Sequence, residues 1–259
     1  MRILVTFALE VEFAPWRVMR QFRAGKWGGA DAQLTEIGGA EVGVVLTGAG
    51  PRQAKLEISK AIGEEYDSTN LCVSSGLAGA LRPQYQLAQI LAPRTVFSER
   101  AANDPASNLI DSSDSLLAFA KDCGATVVDR FYSAERAIGR ADEKRHLGAA
   151  ADAVEMESFE ILFAAAAEGI PAVAVRAVSD TVDEDLPLDM NEIFSNEGQV
   201  SIPRVLGQVA RNPQSLPGLV RLGKNSRAAA ESLARFLESY MQVLAERIAP
   251  LETNSKAAG

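Results

Sequence analysis

Four short runs hold the residues with the greatest capacity for chemistry: Ala8-Leu9-Glu10-Val11-Glu12, Ser75-Gly76-Leu77-Ala78-Gly79-Ala80-Leu81, Val154-Glu155-Met156-Glu157 and Arg176-Ala177-Val178-Ser179-Asp180. A carboxylate can take a proton from water or grip hydroxyl groups. It can also deliver a proton near neutral pH, if burial or hydrogen bonding raises its pKa. Each run alone has a plainer reading: a tight turn of small residues, a glutamate favourable to a helix dipole, an aspartate capping a turn, a core methionine. What sets them apart is place, because polar residues stand where apolar runs end, and open α/β sheets receive ligands there. His146, the only histidine, follows Lys144-Arg145 in a charged stretch and reads as surface, so a histidine-based triad is not on offer. No Cys/His cluster suggests a metal, and no cofactor is expected.

The elements that must position these residues alternate along the chain. Apolar runs rich in Val and Ile at Ile3–Ala8, Val42–Thr47, Leu71–Ser75, Gln89–Ala92, Ala125–Val128 and Ala172–Val178 are near-continuous, as strands covered on both faces are. Helix-period segments lie between them at Ala54–Glu65, Ser115–Cys123 and Glu157–Glu168, the last closed by Gly169 and Pro171. This alternation predicts an α/β fold, a three-layer α/β/α sandwich around a mixed sheet. After Asp189 the strands stop, and prolines 203, 213 and 217 punctuate short helical pieces. From Ser226 a long helix carries Leu233, Phe236, Leu237, Met241, Leu244 and Ile248 on one face. The expected organisation is a catalytic domain over 1–194, a helical extension over 195–250 packed on the same domain, and a flexible tail over 251–259.

In order and spacing the four runs, with Thr47-Gly48-Ala49-Gly50, resemble the purine and uridine phosphorylase superfamily, and within it the 5′-methylthioadenosine/S-adenosylhomocysteine nucleosidase branch. The most specific part is Val154–Glu157 followed about twenty residues later by Arg176–Asp180. The resemblance implies a phosphorylase-like fold with a partly barrel-like sheet and a C-terminal helical extension. It also implies N-glycosidic cleavage of a purine nucleoside through a cationic, oxocarbenium-like sugar. Under it Asp180 matches the general acid toward the purine N7, and Glu12 the base that activates water. Glu157 matches the carboxylate on the ribose hydroxyls, Met156 the residue packed under the sugar, and Glu155 a residue orienting backbone or sugar. Arg176 stands at the nucleophile end or holds an acid in place. Ser179, Gly76, Leu77, Ala78 and Ile138 complete the expected substrate contacts.

Glu12 favours hydrolysis over phosphorolysis, because a carboxylate repels incoming phosphate but accepts a proton from water. The first loop has no arginine, and Ser74-Ser75 stand before Gly76 where phosphorylases tend to place one. The chain also departs from the branch. Leu77 replaces a hydroxyl residue, and Ala137 stands where a base-stacking Phe is usual, with Phe131, Tyr132 or Phe159 as substitutes. Residues Ser195–Ser226 look like an insertion. Phosphorolysis, with Arg52 or Arg176 supplying positive charge, and a non-catalytic nucleoside-binding module are the alternatives.

A net charge of −8 gives no footprint for nucleic acid. The apolar start is too short for a signal and carries Glu10 and Glu12, and Ile161–Val178 is broken by Glu168, Gly169, Pro171 and Arg176. The expectation is therefore a cytoplasmic protein with no membrane partner, with Cys72 and Cys123 as reduced thiols, and, from the resemblance, a homodimer.

Overall fold

The computed structural model describes residues 1–63, 69–99, 108–195 and 198–256, with side chains as far as Ile248. The chain begins with β1 (Arg2–Phe7), α1 (Glu10–Met19), β2 (Arg23–Trp27), β3 (Ala30–Ile37), β4 (Ala40–Leu46), α2 (Pro51–Ile62) and β5 (Leu71–Ala80). It continues with β6 (Ile90–Phe97), β7 (Leu109–Asp111), α3 (Asp114–Asp122), β8 (Thr126–Ser133), α4 (Ala141–Leu147), β9 (Ala153–Glu155), α5 (Ser158–Ala167) and β10 (Ala172–Asp180). Three helices follow: α6 (Met190–Ile193), α7 (Ile202–Arg211) and α8 (Leu216–Lys256).

The sheet is mixed and partly barrel-like. Strands β10, β6, β8, β9 and β5 pair in that order, and β5 pairs back with β10, so five strands close on themselves. From β5 the sheet runs on as an open wing through β1, β4, β3 and β2. β1 lies parallel to both β4 and β5, and β5 parallel to β10, which brings the ends of β1, β5 and β10 to one side.

Alternate side chains of the strands enter opposite layers. Ile3, Val5 and Phe7 join Phe13 and Trp16 of α1, Leu116 of α3 and Leu233, Leu237 and Leu244 of α8 in one core. Leu4, Cys72 and Ala174 join Ala54 and Ile58 of α2 and Ile161 and Leu162 of α5 in the other. Helices thus cover both faces, and the long helix contributes a full stripe to the first core. Tyr240 in that stripe donates its hydroxyl to the Leu116 carbonyl at 2.8 Å.

Three local differences from expectation have physical reasons. The Gly-rich run after Ser75 is not a turn: β5 continues through Ala80 because it stays paired, first with β10 and then with β9. The hairpin of β2 and β3 lacks a long apolar run, since its outer face alternates with polar side chains at the open edge of the wing. α8 starts at Leu216 rather than near Ser226, with Pro217 tolerated in a first turn whose N–H groups need no helical partner. Residues 64 and 65 of the expected helix Ala54–Glu65, and 257–259 of the expected tail, lie outside the described residues. Among the described residues no helix is long and apolar enough to cross a membrane.

Candidate active site

A cavity of about 280 Å³ opens where β1, β5 and β10 end. The start of α1 forms one wall through Ala8, Leu9 and Glu12, and the β9–α5 junction forms another through Val154–Glu157. Leu77, Ala78, Gly79, Ser179 and Asp180 form the floor, and Ile138, Leu186, Met190 and Phe194 close over it with Leu222 and Ser226 of α8.

Glu12 reaches the cavity because α1 begins directly after β1. Standing in the first turn, its side chain folds back to accept the free N–H groups of Ala8 and Leu9, each at 3.0 Å. Its other oxygen accepts the Leu77 N–H of β5 at 3.1 Å. Gly76 makes this approach possible: its φ of 150° lies in glycine territory, and a β-carbon there would stand 3.3 Å from Glu12 Oε1. Burial pushes the Glu12 pKa above its ordinary value, and the backbone donors and the Arg176 charge only partly oppose this.

Glu155 ends β9 and takes on one oxygen the N–H groups of Glu157 (2.9 Å) and Ser158 (2.8 Å), which open α5. The same oxygen accepts Arg176 Nη2 at 2.7 Å. Arg176 also donates to the Ser74 carbonyl at 2.7 Å and the Ser74 hydroxyl at 3.1 Å. Glu157 accepts the Gly50 N–H at 2.7 Å, with its other oxygen 4.0 Å from Arg176 Nη2. Burial, and after it the neighbouring Glu155 charge, pushes the Glu157 pKa up.

Asp180, at the end of β10, accepts the Ser179 hydroxyl on Oδ1 at 2.7 Å and is ion-paired through Oδ2 to Lys144 Nζ. Lys144 comes from α4, its side chain wholly buried, and also donates to the carbonyls of Glu184 (2.9 Å) and Thr181 (3.2 Å). A β-carbon on Gly79 would stand 2.9 Å from Asp180 Oδ2, so any larger residue there would push the Asp180 carboxylate out of place.

Of the residues marked in the sequence, Glu12, Leu77, Ala78, Ile138, Glu155, Met156, Glu157, Ser179 and Asp180 line one cavity. Gly76 and Arg176 do not line it. Gly76 lies beneath Glu12, and Arg176, 1% exposed, stands behind the wall ion-paired with Glu155, close enough for its charge to act on Glu12. The substitute aromatic rings are elsewhere too: Phe131 is core, Phe159 stacks on Phe163 and Tyr132 on Phe97. Among the described residues the ring that lines the cavity is Phe194, which the proline-punctuated stretch after Asp189 hid. Lys144 was also missed, because Lys144-Arg145-His146 reads as a solvated run. Its signal was spacing: Ala141 and Lys144 are three apart and form the buried face of α4. Arg52 is exposed at the start of α2 and does not line the cavity.

The family model described as the phosphorylase superfamily matches residues 22–211. Among solved structures, the 5′-methylthioadenosine/S-adenosylhomocysteine nucleosidase of Helicobacter pylori, bound to a pyrrolidine-type ligand, is 19% identical with a TM-score of 0.73, covering 94% of this chain and 99% of that one. The futalosine hydrolase of Helicobacter pylori is 19% identical with a TM-score of 0.72 over 94% and 98% of the two chains. The Campylobacter jejuni 5′-methylthioadenosine/S-adenosylhomocysteine nucleosidase is 15% identical with a TM-score of 0.71 over 94% and 100%.

Proposed function

The chain belongs to the phosphorylase superfamily, and from that premise we propose that it is a nucleosidase: it hydrolyses the N-glycosidic bond of a purine nucleoside of the 5′-methylthioadenosine/S-adenosylhomocysteine type and releases the free base. The observation that carries this reading is the seating of Glu12. Its carboxylate faces the cavity on three backbone N–H groups, while the side chains around it, those of Ala8, Leu9, Val11, Leu77 and Ala78, bring no positive charge. A phosphate dianion would meet the repulsion of this carboxylate with no cationic side chain free to grip it, since Arg176 acts on Glu12 only from behind the wall, whereas a water would meet a proton acceptor. Among the described residues the one arginine lining the cavity, Arg136, is paired with Glu143, and Arg176 is committed to Glu155 and Ser74.

In this reading the sugar lies against Met156, and Glu157 accepts its hydroxyls. The cationic sugar of the transition state favours the ionised form of Glu157 beside it, which its buried setting disfavours in the resting site. The C1′–N9 electron pair moves into the purine, Asp180 delivers a proton to N7, and Glu12 takes the proton of the water that attacks C1′. The named activities of the structural neighbours support the substrate type, as does a cavity that is mostly apolar with few convergent polar groups.

The test is base release from methylthioadenosine, S-adenosylhomocysteine, 5′-deoxyadenosine, adenosine and inosine, with and without phosphate. The expected products are free purine and free sugar in both buffers. Sugar 1-phosphate, formed at a rate that saturates with phosphate, would overturn the hydrolase reading. Asp180→Asn should lower base release by about 10²–10⁴-fold, since an amide has no carboxyl proton to give.

A further inference from the structure

Asp180 does not stand in the cavity as a lone carboxylic acid. Both of its oxygens face donors, Ser179 Oγ on one side and Lys144 Nζ on the other, so the resting side chain is arranged as an acceptor. Lys144 is matched in the opposite sense: its three N–H bonds meet three acceptors, Asp180 Oδ2, Glu184 O and Thr181 O. Two of these acceptors are neutral carbonyls, and a neutral amine with two N–H bonds satisfies both. The third N–H, along the line to Asp180, is the one the site can release.

A wholly enclosed lysine is rare, and a buried ion pair is a weak stabiliser that apolar side chains commonly replace at no loss. Among the described residues outside the cavity, the charged groups that share a pocket with Asp180 are Glu184, Asp185 and Arg221; Arg221 lies 3.8 Å from Glu184 Oε1, and Asp185 accepts the Ala141 N–H. Gly79 presses against Asp180 Oδ2 with no side chain of its own, and Glu184 contributes its carbonyl while its carboxylate accepts the Thr181 N–H.

We propose that Lys144 supplies, through Asp180, the proton that the departing purine takes up; this rests on the nucleosidase reading above. The proton on Nζ moves to Asp180 Oδ2 and Asp180 hands that same proton on to N7, so that Asp180 ends as it began, a carboxylate, and the purine leaves neutral. The lysine is left as an amine held by the Thr181 and Glu184 carbonyls, and the Asp180–Lys144 pair has gained one negative charge facing the sugar cation. Water adds its hydroxyl to C1′ and its proton to Glu12, and exchange with solvent after product release returns one proton to Lys144 and removes one from Glu12. Lys144 is thus a positioning residue that is also the proton reservoir of the acid.

The test compares wild type, Lys144→Met, Lys144→Gln and Lys144→Arg on two substrates: methylthioadenosine and the 4-nitrophenyl riboside with the same 5′-group, whose leaving phenolate needs no proton. Gln keeps a neutral hydrogen-bond donor and Arg keeps the charge, but neither gives up a proton at working pH. The expected result is that all three variants lose about 10²-fold or more in kcat for purine release, as removal of an acid–base group does, and stay within a few-fold of wild type on the nitrophenyl riboside. Recovery of purine release by Arg or Gln would reduce Lys144 to a prop for Asp180 and overturn the proposal. Parallel loss on both substrates would also overturn it, by placing Lys144 in the fold alone. If wild type releases nitrophenolate but no purine from any nucleoside, the nucleosidase reading itself fails, before any variant is compared.

Discussion

Glu12 and Glu157 are two buried carboxylates whose pKa values both move up, yet the reading of the site gives them different work. As the base for water, Glu12 must be ionised, and its raised pKa shifts the acid side of the activity profile above the ordinary 4.5. Base release should therefore fall as pH is lowered through that raised value, while Glu12→Gln should suppress hydrolysis at every pH and still bind substrate, measured by calorimetry with a non-cleavable nucleoside analogue. A flat acid side in wild type would remove Glu12 from the role. For Glu157 the consequence is also thermodynamic. A carboxyl whose folded-state pKa is raised contributes stability in full below its ordinary value of 4.5, and that stability is lost as pH rises through the folded value. Thermal unfolding should show the melting temperature declining as pH is raised above the carboxylate range, and Glu157→Gln should make that decline shallower. The same variant should harm ribonucleosides more than substrates without the 2′-hydroxyl, because the lost contact is to the sugar.

At the scale of elements, the strands that carry the site were legible and the contacts between them were not. β1, β4, β5 and β10 are covered on both faces, so each is a near-continuous apolar run that the sequence displays. Glu12 and Asp180 stood out because charged residues interrupt such runs at their ends. That Glu12 would reach the Leu77 N–H depends on β1 and β5 being neighbours in register, which is a property of pairing and not of either segment. Arg176 shows the same limit: facing inward in a fully buried strand, it meets Glu155 across the barrel, and nothing local distinguishes that partner from a ligand. Lys144 was hidden in the opposite way, since on so short a helix the three-residue spacing of Ala141 and Lys144 occurs only once and ends in a charged triplet. The long helix was easier, because its stripe repeats over many turns. Leu237→Ala in α8, wholly buried against the sheet, should cost about 2–5 kcal/mol in denaturant unfolding and leave base release unchanged at low temperature. A loss of activity without loss of stability would mean that α8 does more than cover the core.

The molecule as a whole is organised by one long-range closure. β5 and β10 are direct neighbours from Cys72↔Ala172 to Asp180↔Gly79, although on the order of a hundred residues separate them along the chain. The three other barrel strands, β6, β8 and β9, and the Val154–Glu157 wall of the cavity are laid down in that interval. Joining ends so far apart carries a large loop-closure entropy, and such pairings form late and slowly. Leu77, which anchors Glu12, and Asp180 belong to the two strands brought together in that step. During refolding, then, helix content should return before any competence to bind a nucleoside, and recovery of turnover should follow the slowest kinetic phase. A chain caught with the open wing formed but the ring unclosed would have much of its secondary structure and none of its chemistry, with the apolar edges of β5 and β10 bare and prone to pair with those of another chain.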